Sequence, residues 1–508
     1  MTLISSLVFA EGDGADIKLN GWGMFTCGRF GSGMNQKLEL WGGEADTDFG
    51  KRWYSSFMAG LRMEKMLDDM TSVRIHIGVT TAFQIYDASM SGQGPDVEYQ
   101  TRKFVPFLIE AAVGRKFEVS DQMSWVTEFG YLPLRYNPQA ANLGEFLIRS
   151  MAYPTVVESG YEQADKVKVA GVHAGLKMNY GDKSFLKVDE YLFTETYIHP
   201  LFDISDALIA TVNHENWFEI GAGVNLHNMI SVNSRATTPS KDSSLSQRDY
   251  MWYIDPAVVN PLDKTDTLKW PDTTVYTTKS TKLMGRITIN PLGILGMDED
   301  GIFGPEDFKV YAEVAILGIK NYKGWYEKMV ERMPIMFGIN LPGFKFLDVI
   351  SFQLQYLNNP YWNTYENYLK ATQLIPYVGQ RMPPSYKDYI TDTLYEDTIK
   401  QRRHDDDWKW SLYMSKNVNK RVKFSLGFAC DNIFKTSFMP PPPTIKKYTE
   451  IMGSTWMRDV TLVPKFDADG MPVLDPETGL QVIEKRLGKS QWGKIRDWYW
   501  MGSIMFMF

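Results

Sequence analysis

The sequence predicts an all-β chain, an up-and-down antiparallel barrel of about 16 strands (roughly 14–18) whose outer wall faces lipid. Three observations predict it. Segment after segment alternates apolar and polar residues with the period of two that marks a half-buried strand. Short and long connections alternate along the whole chain. The last segment reads W-Y-W-M-G-S-I-M-F-M-F, with Trp498, Trp500, Ile504, Phe506 and Phe508 on one face. Termini usually fray into water, so an ending this apolar asks for a partner strand and an apolar surrounding.

Leu3 to Ala10 reads as the end of a signal-peptide apolar region, with a small-residue cleavage site before Glu11. No Lys or Arg precedes it. The expectation is therefore a signal remnant over 1–10 and a single barrel domain over 11–508.

Strands then follow in order. The cleanest are 72–86, 217–229, 307–317, 349–357, 407–415 and 421–431. In the first of these Val73, Ile75, Ile77 and Val79 oppose Arg74, His76 and Thr80. In 217–229, Ile220, Ala222, Val224 and Leu226 oppose Glu219, Gly221, Gly223, Asn225 and His227. Less regular strands are read at 15–29, 54–68, 104–118, 122–133, 166–180, 183–195, 280–292 and 333–343, and the least regular at 203–212. In 183–195 both faces carry an acid, Asp189 and Glu190, so the sequence leaves its orientation open.

The connections choose the architecture. Short turns fall near 69–71, 119–121, 181–183, 213–216, 344–346 and 417–420, with a longer one at 295–306. Long loops fall at 30–53, 87–103, 134–165, 196–202, 230–279, 318–332, 358–406 and 432–494. A soluble sandwich has no reason to keep that rule, whereas a membrane barrel has short turns at one end and long loops at the other. Both termini then lie at the short-turn end, and strand 15–29 pairs with the last strand so that no edge stays unpaired.

Composition agrees. Hydrophobic residues are 44% and charged residues 23%, which excludes bulk disorder. Aromatics reach 14%, a surplus that interface girdles would use. A net charge of −7 argues against nucleic-acid binding. No apolar run is long enough for a membrane helix. Cys27 and Cys430 fall on the first and the penultimate strands, so no disulfide is expected.

The terminal Phe508 with Trp500 and Phe506 alternating before it resembles the C-terminal signature of bacterial outer-membrane β-barrels. With the alternating strands and the signal-like start, the whole mature chain resembles a porin-like member of that class. The resemblance implies a Gram-negative outer membrane, with its lipid and lipopolysaccharide as surroundings. It also implies engagement of the barrel-assembly machinery through Trp500, Phe506 and Phe508. A homo-oligomer is compatible with it, and no trimer interface is legible.

About 16 strands leave an aqueous channel, where about 8 would be filled by side chains. The functional expectation is passive passage of small hydrophilic solutes. The lumen lining would include Arg74, His76, His173, Lys177, Glu219, Arg286, Lys309, Glu313, Gln353 and Gln355. Loop 134–165, after the fifth strand, holds the place at which classical porins fold a loop inward to constrict the channel. The alternative is a surface adhesin or polysaccharide binder whose loop aromatics, Trp325, Tyr326, Tyr361 and Trp362, stack on sugar rings. An outer-membrane lipase would need a serine and a histidine on the lipid side, and His76, His173 and His227 read as inward.

No catalytic, metal or cofactor pattern emerges. Arg402 to Asp407 reads as a solvated charged rim. Asp467, Asp469 and Gly470 open like a calcium loop, but Met471 takes the next ligand position and no Glu closes it.

Overall fold

The computed structural model describes residues 17–30, 35–40, 43–48, 53–81, 104–140, 143–148, 167–195, 203–215, 217–230, 250–255, 258–259, 267–269, 272–277, 279–297, 301–320, 329–357, 408–419, 421–430, 460–464, 483–487 and 498–508. Sixteen strands close into one antiparallel barrel. They are β1 (Ile17–Phe30), β2 (Trp53–Met66), β3 (Thr71–Thr81), β4 (Phe104–Ser120), β5 (Met123–Leu134), β6 (Val167–Asn179), β7 (Phe185–Glu195) and β8 (Ile204–His214). The second half comprises β9 (Phe218–Ile230), β10 (Ser280–Ile289), β11 (Val310–Ile316), β12 (Ile335–Asn340), β13 (Val349–Tyr356), β14 (Trp408–Val418), β15 (Val422–Cys430) and β16 (Trp498–Met507). Each pairs with its sequence neighbours, and β16 pairs with β1.

All sixteen expected strands are present, with ends that shift for local reasons. The expected 280–292 stops at Ile289 because Pro291 starts a single helical turn, Pro291–Ile294. The expected 307–317 starts only at Val310, because Phe308 turns the chain at φ 62°. The expected 333–343 shortens to Ile335–Asn340. In contrast, β14 runs on to Val418.

Short turns close one end of the barrel. Asp68 holds the β2–β3 turn, accepting from the Met70 and Thr71 amides at 2.8 and 2.7 Å and from the Thr71 hydroxyl at 2.9 Å. The Met70 amide is the first of the bonds that hold the Asp68 carboxyl below its ordinary range, followed by the Thr71 hydroxyl. At the other end, hairpins rise within three long loops. They pair Asn35–Leu40 with Gly43–Asp48, Tyr250–Asp255 with Asp272–Thr277, and Val460–Pro464 with Ile483–Leu487.

The two walls differ as the alternation requires. Ile75, Ile77, Phe129, Ile220, Leu226, Phe337 and Phe424 stand exposed on the outer wall. His76, His173, Arg286, Glu313, Gln353 and Ser411 are buried on the inner one. Strand β7 settles the open case: Asp189 points inward and is buried, and Glu190 points outward and is exposed. Inside, the Tyr311 ring lies flat across Gly338 of the next strand, so close that a Cβ there would fall 2.1 Å from it. Such glycine–aromatic pairs seat a large ring against the wall. Cys27 and Cys430 are not joined in a disulfide, and β16 lies between their strands.

Candidate functional site

The inner wall carries a continuous line of alternating charge across six adjacent strands. Arg62 on β2 lies 3.9 Å from Glu110 on β4, and Arg74 on β3 reaches the same carboxylate at 2.6 Å. Arg74 also pairs with Glu128 on β5. The other Glu128 oxygen lies 2.8 Å from His173 Nδ1 on β6. His173 Nε2 lies 2.8 Å from Asp189 on β7, whose second oxygen holds Lys187 at 2.9 Å. Each His173 ring nitrogen thus faces a carboxylate oxygen from a different neighbouring strand. The Tyr191 ring stacks on the imidazole at a centroid distance of 4.3 Å. The line therefore alternates basic and acidic side chains along its whole length. Removing Glu128, which holds both Arg74 and His173, leaves two largely buried partners uncompensated, at a cost of about 3–5 kcal/mol.

A second ion pair stands further round the wall. Arg286 on β10 pairs with Glu219 on β9 and donates to the Thr211 hydroxyl on β8 at 3.1 Å. Lys309 lies at the foot of β11, 2.8 Å from Glu306. Lys177 sits on the inner face of β6 with its ammonium 4.6 Å from the Phe185 ring centre. His76 on β3 accepts from the Trp22 indole at 2.8 Å.

The loop after β5 enters the lumen. Its anchor is Glu313 on β11, only 1% exposed. That carboxylate accepts from the Tyr136 hydroxyl at 2.6 Å, the Asn137 amide at 2.6 Å and the Phe146 backbone amide at 2.8 Å. Burial, reinforced by Glu313, raises the Tyr136 phenol well above its ordinary range, so it stays a donor. Gln353 on β13 accepts from the Leu143 amide at 3.0 Å and donates to the Gln139 carbonyl at 3.1 Å. Asn225 on β9 donates to the Leu147 carbonyl at 3.0 Å. Leu143, Phe146, Leu147 and Ile148 then pack with inward residues from the long-loop half of the wall, including Leu134, Val169, Phe193, Ile209, Met284 and Met336. That half of the lumen is therefore apolar where the loop lies, and the polar groups collect toward the short turns.

Below the loop lies a cavity of about 420 Å³. Pro138 and Gln139 roof it, and Asn213, Glu219, Thr288, Asn290, Lys183 and Lys309 line it.

All ten residues expected to line the lumen lie on the inner face or at its turn-side foot. The structure joins Arg74 to His173 through Glu128, and Glu313 to Gln353 through the inward loop. His76 lies in register between Arg62 and Glu110 of the charge line, and Lys177 packs over the Phe185 ring. Sequence reading missed Glu110 and Glu128, left Asp189 undecided against Glu190, and missed Tyr136, which holds the loop. Strand parity could have flagged Glu110 and Glu128. Nothing local marks Tyr136. The loop aromatics Trp325, Tyr326, Tyr361 and Trp362, the charged run 402–407 and the acidic stretch 467–470 lie outside the described residues, as does the signal-like start.

No family model and no curated protein sequence matches the chain. Among solved structures it is similar to a triple-mutant porin of Rhodopseudomonas blastica, at 7% identity over 97% of this chain and 100% of that one, with a TM-score of 0.35. It is also similar to OprB of Pseudomonas putida, at 9% identity over 97% and 94%, with a TM-score of 0.38. The architecture rests on the strand pairing of this chain itself: a closed ring of sixteen antiparallel strands with the loop after the fifth strand folded inward.

Proposed function

We propose that the chain is a membrane channel of the bacterial outer membrane, through which small hydrophilic solutes pass passively. The observation that carries this reading is the contrast between the two walls. An exposed apolar outer wall suits hydrocarbon, and closure leaves no unpaired backbone edge there. The inner wall holds a line of seven basic and acidic groups that only a wet interior would need. The inward loop narrows the lumen, so selection by size falls to it and to the polar half beneath it. Fixed charges of both signs along the wall set the local field a solute meets. Release of a trapped small dye from vesicles containing the folded protein tests the reading; retention of the dye at protein-free levels contradicts it.

A further inference from the structure

Two of the connections at the short-turn end differ from the rest. The β2–β3, β4–β5 and β6–β7 turns carry Asp68 and Asp69, Asp121 and Gln122, and Asp182 and Lys183. The β10–β11 and β12–β13 turns instead hold large apolar side chains away from the protein. Leu295 is 68%, Ile302 70% and Phe346 81% exposed, with Ile294 and Phe344 exposed as well. Exposed apolar groups gathered in this way mark a contact surface.

The two turns form one body. Asp307, fully buried, accepts from the Gly304 and Gly343 amides at 2.9 Å each, and so ties one turn to the other. The Phe303 ring packs against Phe308 and Phe344 at centroid distances of 5.2 and 5.7 Å. Phe344 and Lys345 take φ values of 49° and 59°, a conformation that bulky residues rarely adopt. The Phe346 and Leu347 amides close on the Gly343 carbonyl at 2.9 and 3.1 Å, which fixes the backbone that displays Phe346.

This body continues the outer wall. Ile289, Val310 and Ile339 stand opposite one another on the last rung of β10, β11 and β12, and the exposed Leu341 follows. The turns leave the sheet just past that rung. Their described acids are engaged, Glu306 by Lys309 at 2.8 Å and Asp348 by Lys416 at 2.9 Å. Lys345 stands exposed between two phenylalanines, where its stem can follow the rings and its ammonium can reach a phosphate. The same turn as Ile302 carries Asp298, Glu299 and Asp300 in sequence, so apolar burial rather than net charge is the attraction.

We propose that the β10–β11 and β12–β13 turns form a foot that buries in the boundary between headgroups and acyl chains of the leaflet at the turn end. The occupant of this apolar surface is zwitterionic phospholipid. The contact lies off the sheet and on one side of the barrel, in addition to the lipid contact of the strands. The inference rests on the reading of the outer wall as lipid-facing and extends that surface beyond the strand ends.

The test uses the full chain with Cys27→Ser and Cys430→Ser, folded into phosphatidylcholine vesicles. A fluorescent label is attached at Ile302→Cys and, in two reference proteins, at Phe129→Cys on the outer wall and Asp69→Cys on a polar turn. Quenching is read with a nitroxide carried on the lipid chains and with iodide present on both sides of the vesicle. At 302, lipid quenching comparable to that at 129 is expected, with iodide quenching about fivefold below that at 69. Adding Phe346→Ser, an exposed position that leaves folding intact, should raise iodide quenching at 302 about threefold. Iodide quenching at 302 equal to that at 69 overturns the proposal. Shielding from both quenchers also overturns it, because the cover is then protein. Lipid quenching at 129 but not at 302 removes the foot and leaves the lipid-facing wall standing. Quenching at 302 but not at 129 keeps the foot and contradicts the wall.

Discussion

Phe508 and Gly21 close the barrel. The Phe508 amide donates to the Gly21 carbonyl at 2.8 Å and the Gly21 amide donates to the Phe508 carbonyl at 2.7 Å. The Phe508 ring lies over Gly21 so closely that a Cβ there would sit 2.2 Å from it. The last residue thus extends the β1–β16 pairing, whose register runs from Trp22 opposite Met507 to Phe30 opposite Tyr499. Deleting Phe508 removes both bonds, each worth about 1 kcal/mol net, at the seam where the ring of strands must meet. The truncated chain should show a smaller folded fraction on unheated gels and reduced outer-membrane yield. Normal amounts of folded barrel in the membrane would contradict that expectation.

Glu313→Ala should release the inward loop. Three donors lose their acceptor at once, and a buried network broken at its hub costs about 3 kcal/mol. The variant should be cut faster by protease within 135–148 and should pass more current per channel. Protease resistance equal to wild type would show that the apolar packing of Leu143, Phe146 and Leu147 holds the loop without the carboxylate.

Much of this was legible in the sequence. Period-two alternation in β3, β9 and β13 sorted inner from outer residues, because a wall with one apolar and one polar face leaves no other pattern. The alternation of turn and loop lengths gave the strand order. Register was not legible, and the charge line depends on it: Glu128 meets both Arg74 and His173 only once β3, β5 and β6 are set at the right stagger. The same holds for the Glu313 anchor, whose partners lie more than 160 residues away in sequence. Orientation of β7 failed to read because Asp189 and Glu190 are adjacent acids, and only pairing decides which one enters the line.

Glu190 offers a check on where the membrane lies. Its side chain stands on the outer wall at mid-strand, opposite Ala174 and Leu208. A carboxylate facing hydrocarbon is costly, though less so than a lysine or arginine. Glu190→Leu should therefore stabilise the barrel by about 1 kcal/mol in phospholipid vesicles. Urea titration of folded barrels in vesicles measures this, and a loss of stability would place that face against something other than lipid.

The turn end should respond to acid through Asp348. Its carboxylate accepts from the Asn417 amide at 2.7 Å, the Asn417 side chain at 2.8 Å and the Lys416 ammonium at 2.9 Å, tying the β12–β13 turn to β14. Partial burial pushes the carboxyl up, but the Asn417 and Lys416 bonds outweigh it and hold it below the ordinary range. A depressed carboxyl contributes stability above its unfolded value, near pH 4, and loses it as pH falls through the lower folded value. Asp348→Asn should cost about 1 kcal/mol at neutral pH and nearly nothing once pH has fallen below the depressed folded value. Thermal melts of both proteins across that range decide it, and a constant difference would remove Asp348 from the acid response.

The account stands most directly on ion flow. Purified, folded protein added to a planar lipid bilayer should produce discrete current steps, larger in Glu313→Ala than in wild type. A preparation that is folded by circular dichroism and gel mobility, inserts into the bilayer and carries no current would contradict it.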